Sequence, residues 1–259
     1  MGFRECPMEN MVEKFLFNDI YKNKKVLITG HTGFKGSWLT QWLHLMGAKL
    51  YGISKEIFSE PDHFSNLNID MKSIIGDIRD YNFIERQVNL FKPDIIFHLA
   101  AQPIVKRSIE NPIETFDTNL IGTLNLFEAC RRNKISRIIN VTSDKVYYNN
   151  EMKKNFTEVD KLGGNGIYSS SKACVEIMTS AYRKTYFNTN DTLIINVRSG
   201  NIIGGGDWGE SRLIPDIMRS LTEKKDFEVR NPNSVRPWQH VLSALSGYLI
   251  LGEKLLNGS

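Results

Sequence analysis

The run Gly30-His-Thr-Gly33-Phe-Lys-Gly36 constrains this chain more than any other feature. It follows directly on Lys25-Val-Leu-Ile-Thr29, an apolar run of strand character. It opens a stretch with Trp38, Leu39, Trp42 and Leu43 at helical spacing. Glycines spaced G-x-x-G-x-x-G let a backbone turn sharply out of a strand and come close to a pyrophosphate. The helix that follows presents free N–H groups and a partial positive charge to that anion. Alone, such a triplet is weak evidence, because glycines also serve ordinary turns; the strand before it and the helix after it give it weight. Gly30, Gly33 and Gly36, with Phe34 and Lys35 between them, are therefore the first expected contacts of a bound dinucleotide.

The rest of the chain repeats the same alternation. Leu50–Ile53, Ser73–Ile75, Asp94–His98, Arg137–Val141 and Leu193–Val197 read as strands. Residues 119–132, with Leu120, Leu124, Phe127 and Ala129, and residues 168–187 read as helices. Strands alternating with helices imply βαβ units: an α/β, Rossmann-type doubly wound parallel sheet covered on both faces. We expect a lead-in over 1–24, with Phe15, Leu16 and Ile20 on a short amphipathic helix, then a nucleotide-binding domain over 25–200. Beyond it, Gly204-Gly-Gly206, Pro215, Pro232 and Pro237 punctuate shorter elements. Residues 201–259 read as the start of a smaller substrate-binding part, interleaved with the first domain.

Composition narrows the function classes. Hydrophobic residues at 41% and charged residues at 24% over 259 residues describe an ordinary globular chain. A net charge of +4 suits phosphate-bearing ligands, and with no basic block or basic-aromatic stripe it argues against nucleic acid. Cys6, Cys130 and Cys174 match no metal or redox spacing and predict a reducing, cytoplasmic setting. His31, His44, His63, His98 and His240 stand at no ligand spacing, so no metal is expected. Glu9, Glu13, Lys14 and Asp19 break any signal-peptide core, and no window approaches the roughly 18 apolar residues of a membrane span.

Side chains at the carboxyl ends of the strands are the candidate machinery, because open α/β sheets bind ligands there. After the second strand stand Ser54, Lys55 and Glu56, which leave NAD against NADP open. After the third, Asp77 and Ile78 are placed to meet an adenine edge, although an Asp there equally suits a loop cap. Ser143, Asp144 and Lys145 end the fifth strand: a hydroxyl for a sugar hydroxyl, and an adjacent acid and base, or else a turn with solvated charges. Tyr168 and Lys172 lie four apart at a helix start, on one face. A phenol titrates near ~10, and an adjacent ammonium is expected to favour the phenolate for taking a proton. Asn201, Arg212 and Arg236 could clamp a diphosphate or simply carry charge at the surface. His240 reads as a packed core histidine.

The strings Gly30 to Trp38, His98-Leu-Ala-Ala-Gln-Pro103, Thr142 to Lys145, Tyr168 to Lys172, Gly200 to Trp208 and Arg236 to Val241 resemble the CDP-glucose 4,6-dehydratases. These belong to the extended short-chain dehydrogenases/reductases, the NAD-dependent epimerase/dehydratase family. The resemblance runs from about residue 17 to the end. Related dTDP-glucose enzymes carry Glu where this chain has Lys145, and the CDP-glucose enzymes carry Lys. The resemblance implies NAD held also by Leu99, Ala100 and Ala101, with Tyr168 and Lys172 shared between cofactor and catalysis. It adds Ser108 to Asn201, Arg212 and Arg236 as sugar-nucleotide contacts. The implied reaction oxidises C4, removes water across C5 and C6, and returns the hydride. Tyr168 takes the 4-OH proton, Ser143 and Lys172 assist, and Asp144 is acid for the 6-OH; the Lys-for-Glu departure leaves the C5 base open, with Lys145 the candidate. The implied setting is a cytoplasmic homo-oligomer making deoxysugars for surface polysaccharide. Members of that family continue beyond the equivalent of Ser259, which leaves the completeness of the substrate-binding part open. The alternatives are another sugar-nucleotide epimerase or dehydratase of the same superfamily, and a catalytically inactive NAD(P)-binding protein.

Overall fold

The computed structural model describes residues 17–57, 61–149, 155–187, 193–229 and 232–258. The expected lead-in helix residues Phe15 and Leu16, and Cys6, lie outside the described residues. The strands are β1 (Lys25–Thr29), β2 (Lys49–Ser54), β3 (Lys72–Ile75), β4 (Ile95–His98), β5 (Arg137–Val141) and β6 (Leu193–Val197). They form one sheet in the order β3-β2-β1-β4-β5-β6, and every pairing is parallel. The order reverses between β1 and β4, which opens the crevice where such sheets bind nucleotides.

The helices between the strands follow from local sequence. Helix α1 (Phe34–Leu45) starts at the glycine turn, with Gly33 as its extended cap. Helix α2 (Tyr81–Phe91) has a signal that the periodic reading passes over. The Asp80 carboxylate caps the Phe83 N–H, and Ile84 and Val88 bury one turn apart. Two short helices, α3 (Val105–Glu110) and α4 (Pro112–Phe116), lead through a π-helical turn at Asp117–Ile121 into α5 (Gly122–Arg132). The predicted helix over 119–132 is the end of that longer run. Helix α6 (Ile167–Tyr182) continues as a π-helical turn to Phe187.

After β6, a second sheet pairs β7 (Asn201–Ile203) in parallel with β8 (Trp238–His240), with helix α7 (Leu213–Glu223) between them. The last helix, α8 (Val241–Leu256), returns to the large sheet. Its Val241, Leu245, Tyr248 and Leu249 join Val26, Ile28, Ile95 and Ile139 in one buried cluster with Leu39 and Leu43 of α1. Phe17 and Tyr21, just before β1, belong to the same cluster. On the other face Leu27, Ile53, Ile96 and Ile138 pack with α2, α5 and α6 through Ile84, Leu126, Phe127 and Met178. His240 is not in the core: it is exposed at the N-terminus of α8, where its Nδ1 accepts the Leu242 N–H at 3.3 Å. A helix start needs an acceptor there, and that need overrides the ring's apolar character.

Thr29, His98, Asn140 and Asn196 lie opposite one another across β1, β4, β5 and β6. This polar row lies just under the sheet's carboxyl edge, with Thr29, His98 and Asn140 buried and Asn196 half-buried. His98 Nδ1 lies 2.6 Å from the Thr29 hydroxyl, and its Nε2 lies 2.9 Å from the Thr123 hydroxyl. Thr123 gives its own proton to the Asn119 carbonyl, so Nε2 carries the ring hydrogen. Burial and the Lys172 charge hold the ring neutral, with its pKa lowered to about 3. Asn140 donates to Asn196 at 2.7 Å, and Asn196 donates to Glu176 at 2.8 Å. The row satisfies its own polar groups and braces the strand ends that carry the site.

Candidate active site

A cavity of about 660 Å³ opens at the carboxyl ends of β1, β2, β4 and β5 and runs to β7 and α7. Its floor is the glycine turn. Gly30 has φ +76°, and a Cβ there would stand 2.8 Å from the Ala100 nitrogen, so side-chain-free backbone is required. A Cβ on Gly36 would collide with the Gly30 carbonyl oxygen, which forces the same choice where α1 begins. His31 fixes the turn from beneath. Its Nδ1 lies 2.9 Å from Ser54 Oγ and its Nε2 lies 2.7 Å from Ser73 Oγ. Burial lowers its pKa to about 4, so it is a neutral brace between β1, β2 and β3.

Gly30, Gly33, Phe34, Lys35, Gly36, Asp77, Ile78, Leu99, Ala100, Ala101 and Tyr168 all line this cavity. The Asp77 carboxylate is gripped by Arg79, with Nη2 at 2.6 Å and Nε at 3.0 and 3.1 Å. Burial opposes its ionised form, but the Arg79 hydrogen bonds and charge prevail and lower its pKa. Lys55 leans on Glu114 at 3.6 Å.

Ser143, Lys145 and Tyr168 line the cavity beside the glycine turn. Ser143 is the extended residue before a short turn, and its hydroxyl donates to Asp144 Oδ1 at 3.1 Å while accepting the Lys145 N–H at 3.2 Å. Asp144 and Lys172 stand off the cavity wall. The Lys172 ammonium is buried and donates to the Val141 carbonyl at 3.2 Å. Burial and the Lys35 charge, opposed by Glu176, bring its pKa down to about 7. The expected lowering of the phenol does not follow: burial raises the Tyr168 pKa, although the Ser143 hydrogen bond and the Arg212 charge pull the other way. Desolvation of the phenol outweighs them both. Burial also lowers the Lys145 pKa, opposed by Asp144 and reinforced by Arg236 and Arg212.

Toward β7 and α7 the cavity is walled by Asn201, Arg212 and Arg236. Asn201 Oδ1 is buried with no hydrogen-bond partner, which marks an unmet acceptor on that wall. Arg212 does not stand free for a diphosphate: its Nη1 sits 3.0 and 3.1 Å from the two Asp207 oxygens. Arg236 is exposed, and its guanidinium donates to the Val235 carbonyl at 2.8 Å. Ser108 is displaced from its expected role. It is fully buried within α3, its hydroxyl donates to the Val105 carbonyl at 2.6 Å, and it does not reach the cavity.

Several site residues carried no recognisable spacing. His63 stacks on Trp38 with centroids 4.7 Å apart, and its Nδ1 lies 2.8 Å from the Ser37 hydroxyl. A Cβ on Gly206, whose φ is +80°, would meet it at 2.6 Å, so His63 joins α1 to the Gly204–Gly206 loop. Arg107 and Glu114, from α3 and α4, face the end of β2. Behind the wall Glu176 accepts from Thr142 at 2.5 Å and from Arg198 at 2.9 and 3.0 Å. The only advance signal for Glu176 was its position one turn beyond Lys172. No cluster of metal-binding side chains exists among the described residues, and none of their helices is long and apolar enough to cross a membrane.

The family described as GDP-mannose 4,6 dehydratase matches residues 27–251. A CDP-glucose 4,6-dehydratase of Salmonella typhimurium is 45% identical over 245 residues, covering 92% of this chain and 68% of the relative. A dTDP-D-glucose 4,6-dehydratase of Dictyostelium discoideum is 29% identical, covering 89% of this chain but only 56% of its own length. Among solved structures, a dTDP-glucose 4,6-dehydratase of Streptomyces venezuelae with NAD and TYD bound superimposes with a TM-score of 0.78. It is 26% identical, over 88% of this chain and 71% of that one.

Proposed function

This chain belongs to the GDP-mannose 4,6 dehydratase family, and on that premise we propose that it is an NAD-dependent sugar-nucleotide 4,6-dehydratase converting CDP-glucose to CDP-4-keto-6-deoxyglucose. The observation that carries this reading is the meeting, in one cavity, of the glycine turn with Ser143, Lys145 and Tyr168. The 45% identity to a CDP-glucose enzyme supports the choice of nucleotide.

The cavity fits a dinucleotide. Side-chain-free backbone at Gly30 and Gly36, and the N-terminus of α1, suit a pyrophosphate. Leu99, Ala100, Ala101 and Ile78 suit the adenosine half. NAD+ held there supplies the acceptor for the C4 hydride and its return to C6. Tyr168 takes the 4-OH proton, with Ser143 bonded to the same hydroxyl and Lys172 holding its positive charge beneath. Oxidation of C4 acidifies the C5 hydrogen, and Lys145, whose pKa burial lowers, accepts that proton and gives it back to C5 when the hydride returns to C6. Asp144 delivers a proton to the departing 6-OH, so water leaves as a neutral molecule. Asn201 offers its unpaired acceptor to the sugar nucleotide, while Arg212 and Arg236 answer its diphosphate. In this reading Arg212 exchanges Asp207 for phosphate oxygens.

The wider assignment is a homo-oligomer working in the cytoplasm, in supply of deoxysugars for surface polysaccharide. The free Cys130 and Cys174 suit a reducing setting. The chain spans 68% and 56% of the two curated relatives described, so sufficiency of these residues for turnover is part of the proposal. The test is incubation with NAD+ and, separately, CDP-, dTDP- and GDP-linked hexoses, followed by mass spectrometry. Water loss from the CDP-glucose sample alone is expected. Bound NAD+ with no water loss from any sugar nucleotide overturns the dehydratase reading. Asp144→Asn is expected to retain C4 oxidation, seen as NADH absorbance, while losing dehydration.

A further inference from the structure

At the end of the second strand a Rossmann sheet commonly carries an acid that bonds the adenosine ribose 2′-hydroxyl, while a nearby arginine accommodates a 2′-phosphate. Here that place holds Ser54, Lys55 and Glu56, all three on the cavity wall; Glu56 is exposed and its carbonyl accepts from the Thr32 hydroxyl at 2.8 Å. The Ser54 hydroxyl is buried and already engaged, lying 2.9 Å from His31 Nδ1 and accepting the Thr32 N–H at 3.2 Å. Of these, Lys55 is the residue that by itself would welcome a 2′-phosphate.

The carboxylate that engages Lys55 comes from the other side of the cavity. Glu114, on α4, puts Oε1 3.6 Å from Lys55 Nζ and 2.8 Å from Arg107 Nη2, and Arg107 Nε meets its Oε2 at 3.1 Å. Lys55, Arg107 and Glu114 line the cavity together with Asp77 and Ile78, at the end assigned to adenosine. Hydrogen bonds from Arg107, with its charge and that of Lys55, outweigh burial and lower the Glu114 pKa, so it is ionised near neutrality. Arg79, the next cation along, is bound to Asp77. A phosphate dianion entering here meets cations already engaged and the carboxylates of Glu114 and Glu56, which repel it. A ribose hydroxyl meets an acceptor.

We propose that Glu114 is the specificity-determining residue that selects a dinucleotide with a free ribose 2′-hydroxyl over one with a 2′-phosphate, doing from α4 what a strand-end acid does elsewhere. The inference rests on the reading of the cavity as a dinucleotide site.

The test is binding, independent of turnover. NADH and NADPH are titrated by their own fluorescence into the unaltered protein and into Glu114→Gln, a variant that keeps the shape and an oxygen acceptor for Arg107. The unaltered protein is expected to prefer NADH. In Glu114→Gln the ratio of the NADPH to the NADH dissociation constant is expected to fall by about tenfold or more. In the double variant Glu114→Gln with Lys55→Gln that gain is expected to disappear, which ties it to the released lysine. Far-ultraviolet circular dichroism checks each fold. A ratio in Glu114→Gln within roughly threefold of the unaltered protein, with NADH still bound, overturns this proposal alone. Equal affinity for the two dinucleotides in the unaltered protein overturns it as well. If the unaltered protein binds neither, the dinucleotide reading falls and the selectivity proposal with it.

Discussion

Lys172→Met tests the electrostatic argument most directly, because it sets stability against activity. Lys172 is 5% exposed, with its pKa lowered from 10.5 to about 7 by burial first and Lys35 second. The sign follows from which state holds the proton. Between about pH 7 and 10.5 the unfolded chain binds a proton that the folded chain does not, so the lysine makes stability rise with pH. The slope for one proton is about 1.4 kcal/mol per pH unit. Below about pH 7 both states carry the proton and the native state bears the full difference, with an upper bound of roughly 5 kcal/mol. Methionine fills similar volume without charge but removes the donor to the Val141 carbonyl, which costs about 1–3 kcal/mol. The net expectation is a variant stabilised by about 2 kcal/mol near neutrality, or about 4–8 °C in melting temperature for a chain of this size. Dehydration should fall by about 10²-fold or more. Thermal melts of both proteins from about pH 6.5 to 9.5 make the measurement. The variant's advantage should shrink steadily as pH rises. Parallel stability curves for the two proteins would refute the argument, because they would mean that Lys172 titrates alike in the folded and unfolded chain.

Three further outcomes follow from the same geometry. Glu176→Gln removes the charge that Arg198 pairs with at 2.9 Å, and a stability loss of about 3 kcal/mol is expected in urea unfolding. Burial opposes the Glu176 carboxylate, but bonds from Arg198, Thr142 and Asn196 hold its pKa below 4.5. Its stabilisation is thus present above pH 4.5 and lost as pH falls through the folded value, and the variant should show a flatter acid limb. Gly36→Ala places a methyl against the Gly30 carbonyl and should abolish dinucleotide binding in a fluorescence titration; retained binding would mean the turn can open. Tyr168→Phe should bind NADH normally, since Tyr168 is one wall residue among many, yet lose C4 oxidation by about 10²-fold or more in single-turnover absorbance.

What was legible in the sequence was whatever depends on local spacing. The apolar runs of β1, β5 and β6 have their observed bounds because strand periodicity and the residues that stop it are neighbours in the chain. The glycine turn was legible for the same reason: the requirement at Gly30 and Gly36 is steric and arises within one turn. Tyr168 and Lys172 were readable as a pair because a helix places residues four apart on one face. All the expected dinucleotide contacts except the buried Lys172 reach the cavity wall.

Only the tertiary structure decided which partner each charged or polar group takes. Arg212 pairs with Asp207, Lys55 and Arg107 meet Glu114, and Ser108 turns inward to its own helix. The His98 and Asn140 row exists because four strands from separate segments fall into register. The pKa of Tyr168 reversed its expected direction for the same reason. Spacing says which groups lie near each other, but desolvation depends on everything that packs around them, and that is a property of the folded whole.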